Sequence, residues 1–442
     1  MSIFKKGDKI LLKNGDTATI LEEFGSGGQG TVYKVNCAGK TYALKWYHKG
    51  AFKDGGKNFY QNLENNIKSG PPNGSFLWPK ILTSRFNDSF GYLMDIRPSG
   101  YNELVEFFVS TQKNKQVHFK SFDAQINAVL NILDGFDKLH KKGYSYQDIN
   151  DGNFFISPEN GDVLICDNDN VAPYGFNLGI LGKQRYMAPE VVVGSHDPDK
   201  QSDRFSLSVI LFRLLFINHP LEGQYSTPPC MTKDLERKFY GEKPIFIYDP
   251  KITINRPVPG TDKNLKRFWE SKIYPDFIKS KFEEAFSQKV MKNREERIVE
   301  DDWKRIFIRL KASVVRCPYC GELTFVNADN NYHCVNRCNK ELKVFNQMRF
   351  HNGTTIPLFP GVKIFYTLIE QQNTDFNKIM GEVIQNPKDP TKYGIRNLSD
   401  KTWVIHLPDG SSKPLPPNQL VPVKTGFSID FIGKNAQAGE II

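Results

Sequence analysis

The stretch GSGGQGTVYKV, residues 25–35, restricts the fold of this chain more than any other part of it. Gly25, Gly27 and Gly30 let the backbone turn sharply and approach a charged ligand closely, with amide groups facing it. The element after the loop separates two architectures. A dinucleotide-binding fold runs from such a loop into a helix. Here the loop runs straight into a strand pattern that contains Val32, which suits a hairpin closing over a phosphate-bearing ligand. The run YALK, one strand later, contributes Ala43 and Lys45. A buried lysine needs a carboxylate to stay charged and aimed. Glu64 is the only glutamate between Trp46 and Asp95 and lies nineteen residues past Lys45, on a helical stretch. The spacing predicts a Lys45–Glu64 ion pair, set against the reading of Glu64 as a surface residue.

The rest of the chain divides by pattern. Residues 1–95 alternate short β-type runs with glycine turns around one helical piece, which predicts a small twisted sheet with one helix. Residues 102–310 are mostly helical in pattern. Ile126, Val129, Leu130, Leu133, Phe136 and Leu139 recur at helical spacing, and the segment closes on Gly143. Four of the seven cysteines then cluster as CPYC and HCVNRC, and short alternating runs of all-β character come after them. The apolar stretch FSLSVILFRLLFINHP is interrupted by Arg213 and is shorter than the ~20 residues a bilayer span needs, so it reads as a buried helix. The N-terminus lacks the apolar core of a signal peptide, and the cysteine usage suits a reducing compartment, so a cytoplasmic location and no membrane partner are expected.

Further motifs appear in order: LMDI with Met94 and Asp95, YQDINDGN with Asp148 and Asn153, DND from Asp167, MAPE ending at Glu190, and SDRFSLSVIL from Ser202. The whole ordered set resembles the eukaryotic-like protein kinase family, over residues 1–312. The resemblance implies two lobes with ATP between them. It implies that Lys45 holds the α and β phosphates with Glu64 orienting it, that Asp148 steers the proton of the attacking hydroxyl, and that Asn153 and Asp167 bind Mg2+, a hard ion that prefers oxygen. Gly25, Gly27 and Gly30 would cover the phosphates. Val32, Ala43 and Phe155 would sandwich the adenine, with Met94 and Asp95 at the hinge. Glu190 would pair with Arg297, and Asp203 would support the catalytic loop.

This chain departs from the family pattern at four places. Tyr146 and Gln147 replace the histidine and arginine before Asp148, and residues 167–190 contain no serine or threonine. A missing phosphate reader and a missing phosphosite agree with each other, so switching by Ser/Thr phosphorylation of this segment is not expected. Asn168 replaces the phenylalanine after Asp167. Asp169 reads as a turn residue, or else as a carboxylate near the metal. Asn150 stands where the family has a lysine, while Lys183 stands where it has a threonine. We read this as a relocated lysine that reaches the transferred phosphoryl, set against a solvent-facing Lys183 in a weak or inactive kinase. A small-molecule phosphotransferase is the less favoured enzyme reading, because MAPE is present.

Cys317, Cys320, Cys334 and Cys338 suit a structural Zn2+ site with four thiolates and no open position; His333 is the weaker ligand candidate. The last hundred residues resemble a forkhead-associated domain without its phosphothreonine-reading residues in register, so a β-module packing on the kinase or binding an unmodified partner is preferred. The insert around residues 240–286 and the domain order resemble bacterial kinases of tellurium-resistance-associated triads. That implies a von Willebrand A protein and a metal-dependent phosphatase as partners.

The expected architecture is therefore a multi-domain α+β chain: a bilobal kinase domain (1–312, with lobes 1–95 and 96–312), a zinc ribbon (313–345) and a β-sandwich-like domain (346–442). The expected activity is ATP/Mg2+-dependent transfer to Ser/Thr of a protein substrate. The competing class is a pseudokinase, a nucleotide-binding scaffold acting through its tail. The net charge of +10 is interleaved with acids and reads as solvated helix faces, so nucleic acid is not the expected partner.

Overall fold

The computed structural model describes residues 3–52, 55–110, 115–179, 181–270, 273–326, 332–335, 338, 340–370, 372–433 and 436–442; the side chains of Tyr332 and His333 lie outside the described set. The first strands are β1 (Lys9–Leu11), β2 (Thr17–Ser26), β3 (Gly30–Cys37), β4 (Lys40–Tyr47), β5 (Ile81–Leu82) and β6 (Gly91–Met94). They form one antiparallel sheet in the order β1-β2-β3-β4-β6-β5. Side chains alternate across a strand, so β4 sends Leu44 and Trp46 to one face and Ala43 and Tyr47 to the other. Lys45 shares the second face.

That face is covered by α1 (Lys57–Ser69), which buries Phe59, Asn62, Leu63 and Asn66. The spacing is one helical stripe. Glu64 falls one residue off it.

The second lobe is built on α2 (Phe122–Lys141), whose first turn is capped by Ser121 accepting from the Ala124 amide. All six apolar residues picked out by periodicity, from Ile126 to Leu139, are buried. The helix Lys200–Phe216 is buried nearly all round, as its sequence requires, and starts on an Asp199–Ser202 capping box. Arg213, the charge that interrupts it, lies with its guanidinium over the Phe108 ring and donates to Asp151. Among the described residues no helix is long and apolar enough to cross a membrane.

The helix Glu300–Ala312 leads into the cysteine-bearing hairpins and then into two sheets. One sheet has six strands and the other four. They pack face to face on Trp403, whose ring sits where a side chain on Gly381 of the other sheet would be, 2.8 Å from an added Cβ. Their core is continuous with that of the second lobe. Phe325 stacks near Phe122 and Tyr274, with ring centroids 4.7 and 5.0 Å away. Lys311 donates to Asn127 Oδ1, Phe376 O and Asn377 Oδ1 at 2.6, 2.8 and 2.6 Å, pinning α2 to the tail.

Candidate active site

The cleft between the lobes collects its polar groups from both sides. Lys45 is buried and its Nζ lies 2.8 Å from Asp169 Oδ2 and 3.4 Å from Asp167 Oδ1. Burial opposes the ammonium charge, and the two carboxylates outweigh that cost, so the lysine stays protonated well above its ordinary range. Tyr47, two residues on and on the same face of β4, donates to Asp169 Oδ2 at 2.5 Å.

Two sequence expectations are corrected here. The Lys45–Glu64 pair does not form: Glu64 instead accepts from Lys13 at 2.8 Å and Lys68 at 3.1 Å. Its place on α1 points it away from the sheet face that carries Lys45, while Asn62 and Asn66 occupy the inward stripe. Both of those amides donate to Val171 O at 2.8 Å. Asp169 lies in a single 3-10 turn, Asn168–Asn170, but is more than a turn residue: its side chain has 0% exposure and grips Lys45.

Asp167 has φ 51°, a left-handed conformation uncommon outside glycine, asparagine and aspartate. Its carboxylate is 42% exposed at the cleft. Asn168 is buried and donates to Leu77 O at 3.0 Å and Ile165 O at 2.8 Å, so this segment is held by an amide rather than by aromatic packing.

Asp148 lies across the cleft in a net of amides. Asn150 Nδ2 donates to its Oδ1 at 2.8 Å. Asn153 Nδ2 donates to Asp148 O at 2.8 Å and to Oδ2 at 3.5 Å. Burial pushes the Asp148 carboxyl up; the Asn150 bond pulls the other way, and nearby Asp167 adds to the rise. Lys183 is 57% exposed on its side chain, with Nζ 3.4 Å from Asp151 Oδ1. Asp151 also takes Arg213 at 3.0 Å, so the buried helix and the segment before MAPE meet on one carboxylate.

The backbone of this loop is fixed from below. Asp203 accepts from Tyr146 N at 2.6 Å and Gln147 N at 3.0 Å, and its Oδ2 meets His140 Nε2 at 3.1 Å. His140 Nδ1 reaches Glu300 Oε1 at 2.9 Å. Burial disfavours its charge, but the two carboxylates prevail and push the imidazole up to about 9. Gln147, in the position expected to have lost a phosphate reader, donates to Phe176 O at 2.7 Å and Ser145 Oγ at 3.0 Å. Glu190 and Arg297 form a bidentate pair at 2.7 and 2.6 Å.

Val32, Ala43 and Met94 lie in one apolar cluster under the sheet. Phe155 lies on the other lobe, with the Arg97 guanidinium 4.1 Å above its ring, and Asp95 takes Lys80 at 2.5 Å. Gly25, Gly27 and Gly30 sit at the β2–β3 turn. Gly30 is required there, because an added Cβ would lie 2.4 Å from Trp46 O. The donor set fits a hard cation: Asp167 offers an exposed carboxylate, and Asn153 keeps its Oδ1 oxygen once its amide is used on Asp148.

The four sulfurs of Cys317, Cys320, Cys334 and Cys338 lie within 4.8 Å of one another, with Cys317–Cys338 at 3.8 Å and Cys320–Cys334 at 3.5 Å. A tetrahedron of Zn–S bonds of about 2.3 Å has edges of roughly 3.8 Å, so the group fits Zn2+.

Sequence reasoning missed Tyr47, Asn62, Asn66 and Arg97, and left Asp169 between a turn residue and a carboxylate near the metal. The helical phase of α1 held a signal, since Phe59, Leu63 and the two asparagines share a stripe that excludes Glu64.

Comparison with known proteins agrees with this geometry. The protein kinase domain model matches residues 18–288. The chain is 24% identical over 239 residues to the human ribosomal protein S6 kinase alpha-4, covering 50% of this chain and 29% of that one. It is 24% identical over 236 residues to protein kinase YegI of Escherichia coli (strain K12), covering 50% and 35%. It is 29% identical over 204 residues to the beta-adrenergic receptor kinase 1 of Mesocricetus auratus, covering 43% and 27%. The chain thus spans about a third of the length of these relatives.

Proposed function

The chain belongs to the protein kinase domain family over residues 18–288, and from that premise we propose that it transfers the γ-phosphoryl of ATP to serine or threonine of a protein substrate. The observation that carries this reading is the convergence of Lys45, Asp167, Asp148 and Asn153 on one cleft, with Lys45 3.4 Å from Asp167 and Asn153 2.8 Å from the Asp148 backbone. Bound there, Mg2+ would be held by Asp167 and Asn153 and would neutralise phosphate charge. Lys45 holds phosphate oxygens. Asp148, its carboxyl raised by burial, orients the substrate hydroxyl and takes its proton. Lys183, exposed beside Asp151, supplies the cation that Asn150 cannot. Glu64 stands outside this set.

Two observations support activity without a phosphorylation switch. The segment 167–190 has no serine or threonine, and Gln147 holds its backbone directly at Phe176. The finer parts of the reading belong together: kinase lobes over 1–95 and 96–312, a structural Zn2+ ribbon over 313–345, and a forkhead-like β-module over 346–442, in a bacterial-type kinase of the tellurium-associated kind working with a von Willebrand A protein and a metal-dependent phosphatase. The test is transfer from γ-labelled ATP and Mg2+ to the chain itself and to a generic basic protein. Transfer lost in Asp167→Ala supports the enzyme, and Lys183→Ala then tests the relocated lysine. No transfer, with ATP still raising the melting temperature, would instead support a nucleotide-binding scaffold.

A further inference from the structure

We propose that Asp169 is the residue that positions Lys45, in the place that the order of the sequence gives to Glu64, and that α1 is held to the cleft by amides instead of by an ion pair. The inference rests on the kinase reading of the same site. Three independent observations carry it.

The first is the contact itself. Asp169 Oδ2 lies 2.8 Å from Lys45 Nζ and also accepts from Tyr47 at 2.5 Å, so two donors on one face of β4 fix one carboxylate oxygen. The second observation is division of labour between the acids. Asp167 is 42% exposed and is the oxygen donor a cation can reach, whereas Asp169 has no exposed surface. A carboxylate with no exposed surface is left to hold the groups packed on it, Lys45 and Tyr47. The third is what α1 does. Glu64 is engaged by Lys13 and Lys68. Asn62 and Asn66 both grip Val171 O, two residues beyond Asp169. The helix and the lysine are therefore tied to one short segment, 167–171, by separate bonds. Rotation of α1 would break amide bonds to the backbone but would leave the Lys45 ion pair in place.

The test uses the full chain and two readouts. The first needs no nucleotide: acylation of Lys45 by an amine-reactive probe at pH 9, with peptide mass spectrometry to locate the label. Only the unprotonated amine reacts, so loss of the positioning carboxylate speeds labelling. Asp169→Asn is expected to raise Lys45 labelling at least tenfold. Glu64→Gln is expected to leave it within twofold. The second readout is kcat/KM for ATP. Asp169→Asn is expected to lower kcat/KM tenfold or more, Glu64→Gln by less than twofold, and Asp169→Glu to recover part of the loss. Tyr47→Phe, which removes a single hydroxyl, gives a smaller change in the same direction and serves if Asp169→Asn fails to fold. Labelling raised by Glu64→Gln and not by Asp169→Asn or Tyr47→Phe would overturn the proposal. A chain that transfers no phosphate would sink the kinase reading alone, because the labelling contrast does not depend on turnover.

Discussion

The first lobe and the C-terminal tail are both mostly β, yet they join the helical lobe in opposite ways. The first lobe keeps two small cores of its own, one on each face of its sheet. Its link to the helical lobe is partly polar, with Lys45 and Tyr47 on Asp169, two asparagines on Val171 O and Leu77 N on Ile165 O. It is also partly apolar, through Phe76 and Trp78, which belong to the helical lobe's core. Among the described residues the tail has no separate core. Met348, Trp403 and Ile429 belong to the same buried cluster as Leu130 and Phe212. Hydrogen bonds exchange readily with water and contribute about 1 kcal/mol each on balance. Buried aromatic contact has no such substitute in solvent. The first joint thus adds bonds that water can replace to a small apolar contact, and the second is mostly buried apolar contact.

The largest expected effect tests whether the polar joint serves chemistry. Asp167→Ala should lower phosphate transfer on the order of 10³-fold with little change in melting temperature; a loss of stability as large as the loss of rate would mean that the residue is a strut. Next, Phe325→Ala should cost roughly 3–5 kcal/mol and leave a single melting transition in calorimetry. Two transitions would show that the tail folds by itself and would break the comparison.

A smaller effect concerns pH. His140 joins α2, the buried helix Lys200–Phe216 and the helix that leads to the tail. Its two carboxylate partners raise it to about 9 when folded. A group raised on folding gives its full stabilisation below its ordinary value near 6.5. That stabilisation is then lost as pH rises through about 9. Stability should therefore fall by on the order of 2 kcal/mol between those limits. His140→Gln should flatten that slope, and an unchanged slope would assign it to other groups. The smallest effect is at the cleft: Asn62→Ala should cost about 1 kcal/mol and speed hydrogen exchange in α1 without touching the tail. Faster exchange in the tail would couple joints that we describe as separate.

Much of this was legible in the sequence because it is local. The α2 stripe from Ile126 to Leu139, the glycine loop running into a strand and the paired cysteines depend on neighbours a few residues apart. The Glu190–Arg297 pair and the support from Asp203 were also reached, because ordered motifs stand in for distance. Glu64 was misplaced for a specific reason: its distance along the chain from Lys45 was counted, and its phase on α1 was not. Asp169 was underrated because its neighbours in DNDN suggest a polar turn, and nothing local says that Tyr47 and Lys45 come down on it from a strand more than a hundred residues earlier.

The sequence alone determined which elements form and the order in which the candidate catalytic groups appear, since helix phase, strand alternation and turn chemistry act over a handful of residues. Only the tertiary structure decided which carboxylate faces Lys45 and that the tail shares the helical lobe's core. Both are settled by which faces bury each other, and that burial is a property of the packed chain and not of any stretch of it.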